Sequence, residues 1–365
     1  MTQPSSQLRI IEPNLRGNAG HYGELVRCIC LGSEQRRSTI FALGGPGIEQ
    51  LELLAHPRII RKQAFGSPDS RSEFAVLRDC VRDATSPCLV LTAKASHSLA
   101  LEACAWAGSL LDHVRLLFHW REATLAKRIA MTASRTARRE CRAIAPTTQT
   151  ADFLRAAGWR RVVHAPYPAI GPDRIPVPSP RPIRLLMAGA ARINKGIALI
   201  PDLAMELERR TRSIDLLVQV TGKRGGQQGR WEAFALERLQ NCRLQGLQLD
   251  PTAPDRAEYE RRFLGALVLT PYDPVKFSDN VSGVALDALL NAAPIVATAG
   301  SWQAGLVERF GCGVIMERWD SASLIKAVDE ALARWSDISL GAVAAATQLA
   351  VEHHPLHLAR AVMDP

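Results

Sequence analysis

The sequence predicts an α/β protein built from two doubly wound, Rossmann-like domains. Short apolar runs alternate with longer amphipathic stretches along the chain, which is the pattern of parallel strands joined by helices. Residues 171–182 contain five prolines in twelve positions, which excludes a helix or central strand there and divides the alternation into two halves. A chain of 365 residues can form a core in each half.

The order of the predicted elements follows from these runs. In the first half, strands are predicted at residues 8–13, 38–44, 58–65, 88–93, 114–120, 142–146 and 161–167. Helices are predicted between them at residues 21–32, 70–86, 97–110 and 147–157. In the second half, strands are predicted at residues 183–189, 215–222, 242–249, 266–272, 294–299 and 313–317. The intervening helices are predicted at residues 195–210, 229–240, 254–263, 281–292, 303–310 and 320–335.

The predicted domain organisation has four parts. Residues 1–170 form an N-terminal domain, residues 171–182 a linker and residues 183–338 a C-terminal domain. Residues 339–365 form C-terminal helices that return to the N-terminal domain, with a kink at Pro355. Two doubly wound domains that face each other across a cleft bind ligands at the carboxyl ends of their strands.

Composition narrows the class of protein. No apolar run reaches the ~18 residues of a membrane span, and the N-terminus lacks the layout of a signal peptide. We therefore expect a cytoplasmic protein. The eight cysteines show no metal-ligand spacing, so we expect most of them to be buried thiols.

Positive charge is concentrated in the first half. Residues 1–178 contain 24 Lys+Arg and 15 Asp+Glu, whereas residues 179–365 contain 21 of each. The densest part runs from Arg115 to Arg142. We expect five of its arginines to lie near one face of a helix: Arg128, Arg135, Arg138, Arg139 and Arg142. Such a surface is either a solvated face or attracts an anionic partner such as membrane lipid.

The stretch from Met187 to Gly196, MAGAARINKG, is a candidate phosphate site. A strand is predicted to end at Gly189, and a helix is predicted to begin near Gly196. Loop amides and the positive end of a helix attract phosphate, and Arg192 and Lys195 could clamp it. The alternative is an ordinary strand–helix turn with two solvated cations.

A second candidate region follows the strand that ends at Tyr272. A polar loop leads to Ser282 and Gly283, where a helix would present free N–H groups. Asp287 lies about one turn further into this helix, and a carboxylate there suits the two hydroxyl groups of a ribose. The alternative is a serine N-cap and a surface aspartate.

Two further residues stand at predicted strand ends in the first half. Gly20 belongs to a glycine-containing loop after the first strand, where small residues let a ligand approach the backbone. His119 closes the strand at residues 114–120, where a lone histidine is more often structural than catalytic.

Together these features resemble the retaining GT-B glycosyltransferases of family 4. The GAARINKG stretch is similar to the G-x-x-R-x-x-K-G phosphate clamp of that family, and the resemblance implies that Arg192 and Lys195 hold the donor diphosphate. The spacing of Asp279 and Asp287, with Pro294 seven residues later, is similar to the family's E-x7-E element.

The resemblance also assigns roles to single residues. It implies that Asp279 contacts the donor sugar and that Asp287 binds the donor ribose. It implies that His119 lies beside the donor sugar and that Gly20 lies near the acceptor and the donor phosphate. The N-terminal domain would then bind the acceptor and the C-terminal domain the nucleotide sugar.

The implied activity is a metal-independent, hexosyltransferase-like transfer. A sugar would move from a nucleoside-diphosphate sugar to a hydroxyl of a saccharide or lipid-linked acceptor, with retention, in cell-surface polysaccharide or glycolipid synthesis. We expect no cofactor, because there is no DxD triplet or His/Cys cluster. The basic N-terminal domain would contact the inner face of an anionic membrane, and nucleic acid is not an expected partner.

The sequence departs from the family pattern at the second region and leaves alternatives open. Both acids are aspartate, and Ser282 stands where the family has glycine, so that Gly283 comes one position late. The first alternative is therefore a catalytically degenerate protein that binds a nucleotide sugar without transferring it. Another GT-B reaction, such as epimerisation of a sugar nucleotide, and nucleic-acid binding are further alternatives.

Overall fold

The computed structural model describes residues 7–16, 21–34, 38–66, 70–121, 124–210, 214–221, 229–252 and 254–364. The chain forms two compact units. The first contains the described residues up to Pro168 together with those from His353 onward, and the second is Ala169–Glu352.

The first unit is built on a parallel seven-stranded sheet. Its strands are β1 (Gln7–Glu12), β2 (Thr39–Gly44), β3 (Ile59–Gln63), β4 (Cys88–Val90), β5 (Val114–Leu117), β6 (Arg142–Ala145) and β7 (Arg161–His164). Its helices, apart from the last one of the chain, are α1 (His21–Gly32), α2 (Ser70–Arg82), α3 (Ala95–Trp106), α4 (Leu125–Ala133), α5 (Arg135–Glu140) and α6 (Thr148–Ala156). The strand order is β3-β2-β1-β4-β5-β6-β7.

Both faces of this sheet are covered. Successive residues of a strand point to opposite faces, so Leu89 and Leu117 belong to one apolar cluster while Val90 and Leu116 belong to the other. The inner strands β4, β5 and β6 are fully buried because helices lie on both sides, as expected for a doubly wound sheet.

The second unit repeats the plan on a parallel six-stranded sheet. Its strands are β8 (Arg184–Met187), β9 (Asp215–Gln219), β10 (Leu247–Asp250), β11 (Ala266–Thr270), β12 (Ile295–Thr298) and β13 (Gly313–Met316). Its helices are α7 (Ile200–Arg209), α8 (Arg230–Gln240), α9 (Arg256–Phe263), α10 (Gly283–Leu290), α11 (Trp302–Phe310), α12 (Ser321–Ala333) and α13 (Trp335–Glu352). The strand order is β10-β9-β8-β11-β12-β13.

The chain ends with a helix in the first unit, α14 (Pro355–Met363). Leu358 and Val362 join the apolar cluster that also contains residues of β1 and α1. The guanidinium of Arg115 donates to Val362 O at 3.3 Å, and that of Arg142 donates to Ala361 O at 3.1 Å. The α14 helix is therefore fixed by apolar packing and by two arginines at its carboxyl end. Among the described helices, none has the length and apolarity needed to cross a bilayer.

The predicted α/β class with two doubly wound sheets is confirmed, and each predicted apolar run contains one strand. The largest difference is at β10, which is predicted from residue 242 but begins at Leu247, because Gly246 has a positive φ of 85° and lies against Asp215. The proline-rich residues 171–182 lie within the second unit, where Ser179 O accepts a hydrogen bond from Trp335 Nε1 at 2.8 Å.

The expectation of one arginine-bearing helix face is wrong. Arg128 lies in α4, the helix is interrupted at Ser134, and Arg135 opens the separate helix α5. Arg142 lies in β6 and is buried. The interruption is stabilised by Ser134 Oγ, which donates to Ala130 O at 2.9 Å.

Candidate functional site

The candidate site of the second unit lies where the strand order of its sheet reverses. From β8 the chain moves outward to β9 and β10, and from β11 it moves the other way to β12 and β13. Neighbouring strands β8 and β11 therefore have connections that diverge at their carboxyl ends, which leaves a crevice for a ligand. The two motifs singled out in the sequence are the loops that follow these two strands, residues 188–199 (the β8 loop) and residues 271–282 (the β11 loop).

The β8 loop is not the start of a regular helix, contrary to the sequence-based expectation. Two 3-10 turns, Ile193–Lys195 and Ile197–Leu199, are separated by Gly196 with φ of +82°, and α7 begins only at Ile200. A left-handed residue cannot continue a right-handed helix, so the turn breaks at Gly196. The amino end of α7 is therefore further along the chain than the two cations, and phosphate attraction here depends on the side chains and loop amides.

The β8 and β11 loops touch each other through their backbones. Asp273 N donates to Asn194 O at 3.0 Å. A Cβ atom on Gly196 would collide with Pro271 O. Pro271 O also accepts a hydrogen bond from Trp319 Nε1 at 2.8 Å. The glycine of the N-K-G motif is therefore required both by its φ angle and by the close approach of the neighbouring loop.

Lys195 points its ammonium toward the β11 side of the crevice. Its Nζ lies 5.5 Å from the centroid of the Tyr272 ring, a cation–π contact. A Cβ atom on Gly189 would be 3.1 Å from Lys195 Nζ and 3.2 Å from Val284 Cγ2, so the ammonium and the first turn of α10 flank the same glycine. Lys195 is thus beside the turn at residues 282–284.

Arg192 is partly buried at the start of the first 3-10 turn. Its Nε is shielded from solvent and has no hydrogen-bond acceptor among the described residues. Neither Arg192 nor Lys195 forms an ion pair within the described ranges. The Glu232 carboxylate also reaches this loop, where it accepts from Ile193 N at 3.3 Å. Two partly buried cations without an ion-pair partner in the described part of the chain still form a site that an anion would satisfy.

Ser282 is the N-cap of α10. Its Oγ accepts a hydrogen bond from Ala285 N at 3.2 Å, so the hydroxyl caps the helix. A Cβ atom on Gly283 would meet nothing within 4 Å, which shows open space at the amino end of the helix. The first N–H groups of α10 have no partner within the helix. They lie at the positive end of the helix dipole, which favours an anion.

The two predicted acidic residues have different surroundings. Asp279 lies in the β11 loop and is buried. Asp287 Oδ2 accepts from Tyr259 Oη at 3.1 Å, and its Oδ1 lies 4.0 Å from Arg256 Nη1. Burial and the neighbouring Asp287 carboxylate raise the pKa of Tyr259 well above its usual value. Asp287 is thus tied to α9, and its role toward a ribose stays a prediction.

His119 lies in the first unit, just after β5. Its Nε2 lies 2.9 Å from Leu91 O, which can only accept, so Nε2 carries the proton and Nδ1 does not in the neutral ring. Burial lowers the pKa of His119 to about 4, although the bond to Leu91 O opposes this shift. The ring is therefore neutral at physiological pH. Its centroid lies 6.1 Å from that of Tyr167.

Gly20, the last of the predicted site residues, lies outside the described residues. Among the described residues, no group of three or more His, Cys, Asp or Glu side chains could hold a metal ion.

Three residues near the crevice were not predicted. Tyr272 supports the Lys195 ammonium, and its hydroxyl is buried without a hydrogen-bond partner in the described part of the chain. Gln219 Oε1 accepts from Gly189 N at 2.7 Å and so fixes the start of the β8 loop. Trp319 covers Pro271, as described above. The polar Gln219 at the end of an apolar strand was the one local signal; the other two act through contacts between distant parts of the chain.

No protein-family model matches the sequence, and no curated protein matches it. Solved structures do match. A sucrose-phosphate synthase from Thermosynechococcus elongatus aligns with a TM-score of 0.71 at 13% identity, over 97% of this chain and 96% of that chain. Anabaena HepE in complex with UDP and glucose aligns with a TM-score of 0.67 at 13% identity, over 98% of both chains.

A third solved structure is WaaG, a glycosyltransferase involved in lipopolysaccharide biosynthesis. It aligns with a TM-score of 0.67 at 14% identity, over 98% of this chain and 100% of that chain. These structures share the GT-B architecture, so the predicted GT-B fold is confirmed.

Proposed function

We propose that the protein is a glycosyltransferase that moves a sugar from a nucleoside diphosphate to a hydroxyl acceptor. The observation that supports this most directly is the ammonium of Lys195 beside the amino end of α10, with the partly buried Arg192 in the same loop and no ion-pair partner for either cation among the described residues. A diphosphate fits such a site by charge. The solved neighbours add support, because HepE was determined with UDP-glucose and WaaG is a glycosyltransferase.

The proposed chemistry depends on charge stabilisation. As the glycosidic bond to the diphosphate breaks, the anomeric carbon becomes cationic and the leaving diphosphate gains negative charge. Arg192, Lys195 and the first amides of α10 would stabilise that leaving group from fixed positions, and one such contact is worth about 3 kcal/mol. Because the chain supplies these cations itself, we propose that transfer needs no metal. Turnover that persists in EDTA would support this, and turnover that EDTA abolishes would contradict it.

His119 and Asp279 would act on the sugar. A neutral His119 cannot supply positive charge to the diphosphate, but its unprotonated Nδ1 can accept a hydrogen bond from a sugar hydroxyl. The buried Asp279 would accept from donor-sugar hydroxyls and Asp287 from the ribose. Retention of the anomeric configuration and membership of family 4 belong to the same proposal; NMR of the first-formed product measures the configuration.

The decisive test is turnover of nucleotide sugars by variants of the two cations. We expect Arg192→Ala and Lys195→Ala each to lower kcat/KM by about 100-fold, since each removes one contact to the leaving group. Matched controls are Lys326→Ala and Arg334→Ala, two exposed cations of the same unit, which should retain wild-type turnover. Full activity in the Arg192/Lys195 double variant would contradict the proposal.

A second candidate function is binding of a nucleotide sugar without transfer. The specific observation in its favour is the engagement of Asp287 by Tyr259 and Arg256, which competes with a ribose for the same carboxylate. Calorimetry separates the two. Donor binding with no transfer to any saccharide or lipid-linked acceptor would favour the binding protein, and transfer would exclude it.

We further propose that the acceptor belongs to cell-surface polysaccharide or glycolipid synthesis and that the first unit contacts the inner face of the cell membrane. The surface concerned is α4, where Leu125 and Ile129 are 72% and 57% exposed beside the exposed cations Lys127 and Arg128. An amphipathic basic helix binds anionic bilayers by this combination. Sedimentation with anionic vesicles at low salt should be lost in Leu125→Ser/Ile129→Ser; no sedimentation of the wild type would contradict it.

A further inference from the structure

A surface groove of the first unit lies at the opposite end of its strands from His119. It has a volume of about 350 Å³ and is lined by Arg135, Thr136, Arg138, Arg139, Gly158 and Arg160. These residues come from α5, which precedes β6, and from the turn that precedes β7. The groove is therefore at the amino ends of the strands, whereas His119 follows the carboxyl end of β5.

The floor of the groove is rigid. Arg138 donates from Nη1 to Ala157 O at 2.8 Å and from Nη2 to Thr132 O at 2.5 Å. Its own carbonyl accepts from Arg160 N at 3.0 Å. Gly158 has φ of +88°, and a Cβ atom there would collide with Arg138 Nη1. The guanidinium of Arg138 is thus fixed by the backbone and contributes its positive charge at a constant position.

The other three arginines of the groove, at positions 135, 139 and 160, are exposed. Two carboxylates face this region. Glu140 pairs with Arg139 at 2.8 Å, and Glu102 accepts hydrogen bonds from Thr136 and from the first amides of α5. Within the described part of the chain, neither Arg135 nor Arg160 has an ion-pair partner. The groove therefore retains a positive excess after its acids are counted.

A second layer of arginines lies behind it. Arg115, Arg142 and Arg161 occupy register-matched positions on β5, β6 and β7, and Arg161 donates to Glu140 O at 3.1 Å. Burial, together with the charges of Arg142 and Arg161, lowers the pKa of Arg115 to about 10, against the smaller opposing effect of Asp112. The hydrogen bonds that the structure shows for them among the described residues go to main-chain carbonyls, which carry no net charge.

We propose that this groove binds a phosphate-bearing ligand at a site separate from the nucleotide-sugar site. Guanidinium groups bind phosphate oxygens in pairs of parallel hydrogen bonds. Three exposed arginines around the fixed Arg138 supply enough positive charge for a doubly charged phosphate group. The volume is at the lower end of the range for small-molecule sites, which fits a phosphorylated metabolite or the phosphate of a lipid headgroup.

The test uses the full-length chain carrying Arg192→Ala and Lys195→Ala, so that the proposed donor site does not bind the probes. This chain is the parent. The groove variant carries three further substitutions, Arg135→Gln, Arg139→Gln and Arg160→Gln. The matched control adds the same charge change elsewhere in the first unit, at the half-exposed Arg78 and the exposed Arg82 and Arg155, as Arg78→Gln, Arg82→Gln and Arg155→Gln. The probes are inorganic pyrophosphate, measured by calorimetry, and vesicles of phosphatidylcholine with phosphatidic acid, measured by sedimentation against pure phosphatidylcholine.

We expect the groove variant to bind at least about ten-fold more weakly than its parent and the control to stay within about two-fold. Loss with pyrophosphate identifies a soluble phosphate ligand, and loss with vesicles alone identifies a headgroup; each supports the site. Equal losses in both variants, or no binding by the parent to either probe, would overturn it. Both variants keep α4 unchanged, so membrane binding by that helix is the same in both and cannot produce a difference between them.

A second measurement uses the wild-type protein alone and so does not depend on whether the variants fold. Phenylglyoxal modifies accessible arginines, and mass spectrometry locates the modified positions. In the wild-type protein, pyrophosphate should slow modification of Arg135 and Arg160 and leave that of Arg78 and Arg155 unchanged. Uniform rates at all four positions would contradict the proposal.

Discussion

At the scale of single residues, Gly196 combines two constraints at one position. Its φ of +82° disfavours any residue with a Cβ, and its Cα faces Pro271 O of the neighbouring loop. We expect Gly196→Ala to lower the free energy of unfolding by about 1–2 kcal/mol or more. Because the same contact positions Lys195, we also expect weaker binding of a nucleoside diphosphate. Denaturant titration and calorimetry measure the two effects.

The matched control is Gly305→Ala. Gly305 is in the exposed face of α11, where a Cβ atom would meet nothing within 4 Å. Alanine should therefore stabilise this helix by about 0.5–1 kcal/mol. If both substitutions change stability equally, the loop contact at Gly196 has no special importance.

His119 makes stability depend on pH. Its pKa is about 4 in the folded protein and about 6.5 in an unfolded chain, so the unfolded chain binds more protons between these values. The stability contributed by the neutral ring is complete above pH 6.5 and is lost as the pH falls toward 4, by about 3 kcal/mol in all. His119→Gln, which can still donate to Leu91 O, should remove that part of the pH dependence.

Denaturant unfolding of wild type and variant at several pH values measures the difference. The exposed His357 provides the control, because His357→Gln should leave the wild-type profile unchanged. A variant whose stability falls as steeply as that of wild type below pH 6.5 would show that His119 is not responsible.

At the scale of elements, α14 is a structural part of the first unit although the chain reaches it last. Leu358 is fully buried in the cluster that also contains β1 and α1 residues. We expect Leu358→Ala to destabilise the first unit by about 2–5 kcal/mol, through lost burial and a cavity. Hydrogen exchange of β1 and β2 should accelerate, while β11 and β12 of the second unit should keep their protection.

Leu340→Ala is the control for this prediction. Leu340 lies on α13 and is 67% exposed, so the same chemical change should alter stability by less than about 0.5 kcal/mol. Equal acceleration of exchange in both sheets by Leu358→Ala would show that α14 stabilises the two units together.

The strands were predictable because most of them are short, predominantly apolar runs, as buried parallel strands usually are. The structure of the basic stretch was not predictable, because the arginines at residues 128–142 have helical spacing throughout. The break at Ser134 depends on its bond to Ala130 O, and the burial of Arg142, at the start of the predicted strand 142–146, depends on Ala361 and Asp364. Those partners cannot be inferred from spacing.

The same distinction applies to the candidate site. Arg192 and Lys195 could be identified because a strand end, a glycine and two cations stand together in the sequence. The surroundings of Asp287 could not, because Tyr259 and Arg256 reach it from a helix 28 and 31 positions earlier in the chain. The start of α7 was misplaced for the same reason, since the approach of Pro271 to Gly196 is a long-range contact.

At the scale of the whole molecule, the two units have separate sheets and separate apolar clusters. A ligand of the β8 loop should therefore stabilise the second unit selectively. We expect UDP or another nucleoside diphosphate at about 100 times its Kd to add about 2.7 kcal/mol of stability. A thermal-shift panel of nucleotides identifies the base.

Hydrogen exchange then locates the effect. Protection should increase at residues 189–196 and 283–286 and stay constant in β1 and β4 of the first unit. The Lys195→Ala variant should show neither the thermal shift nor the added protection. A shift retained in full by that variant would place the nucleotide elsewhere.

The return of the chain through α14 has a consequence for biosynthesis. The ribosome makes the seven-stranded sheet before the second unit, but the segment that completes its apolar cluster is made only after that unit. Residues 169–352 emerge in between as an uninterrupted unit. This second unit can therefore finish folding while the first unit still exposes apolar surface. Nascent chains of this protein should therefore depend on chaperones mainly through the strands of the first unit, until residues 355–363 have emerged.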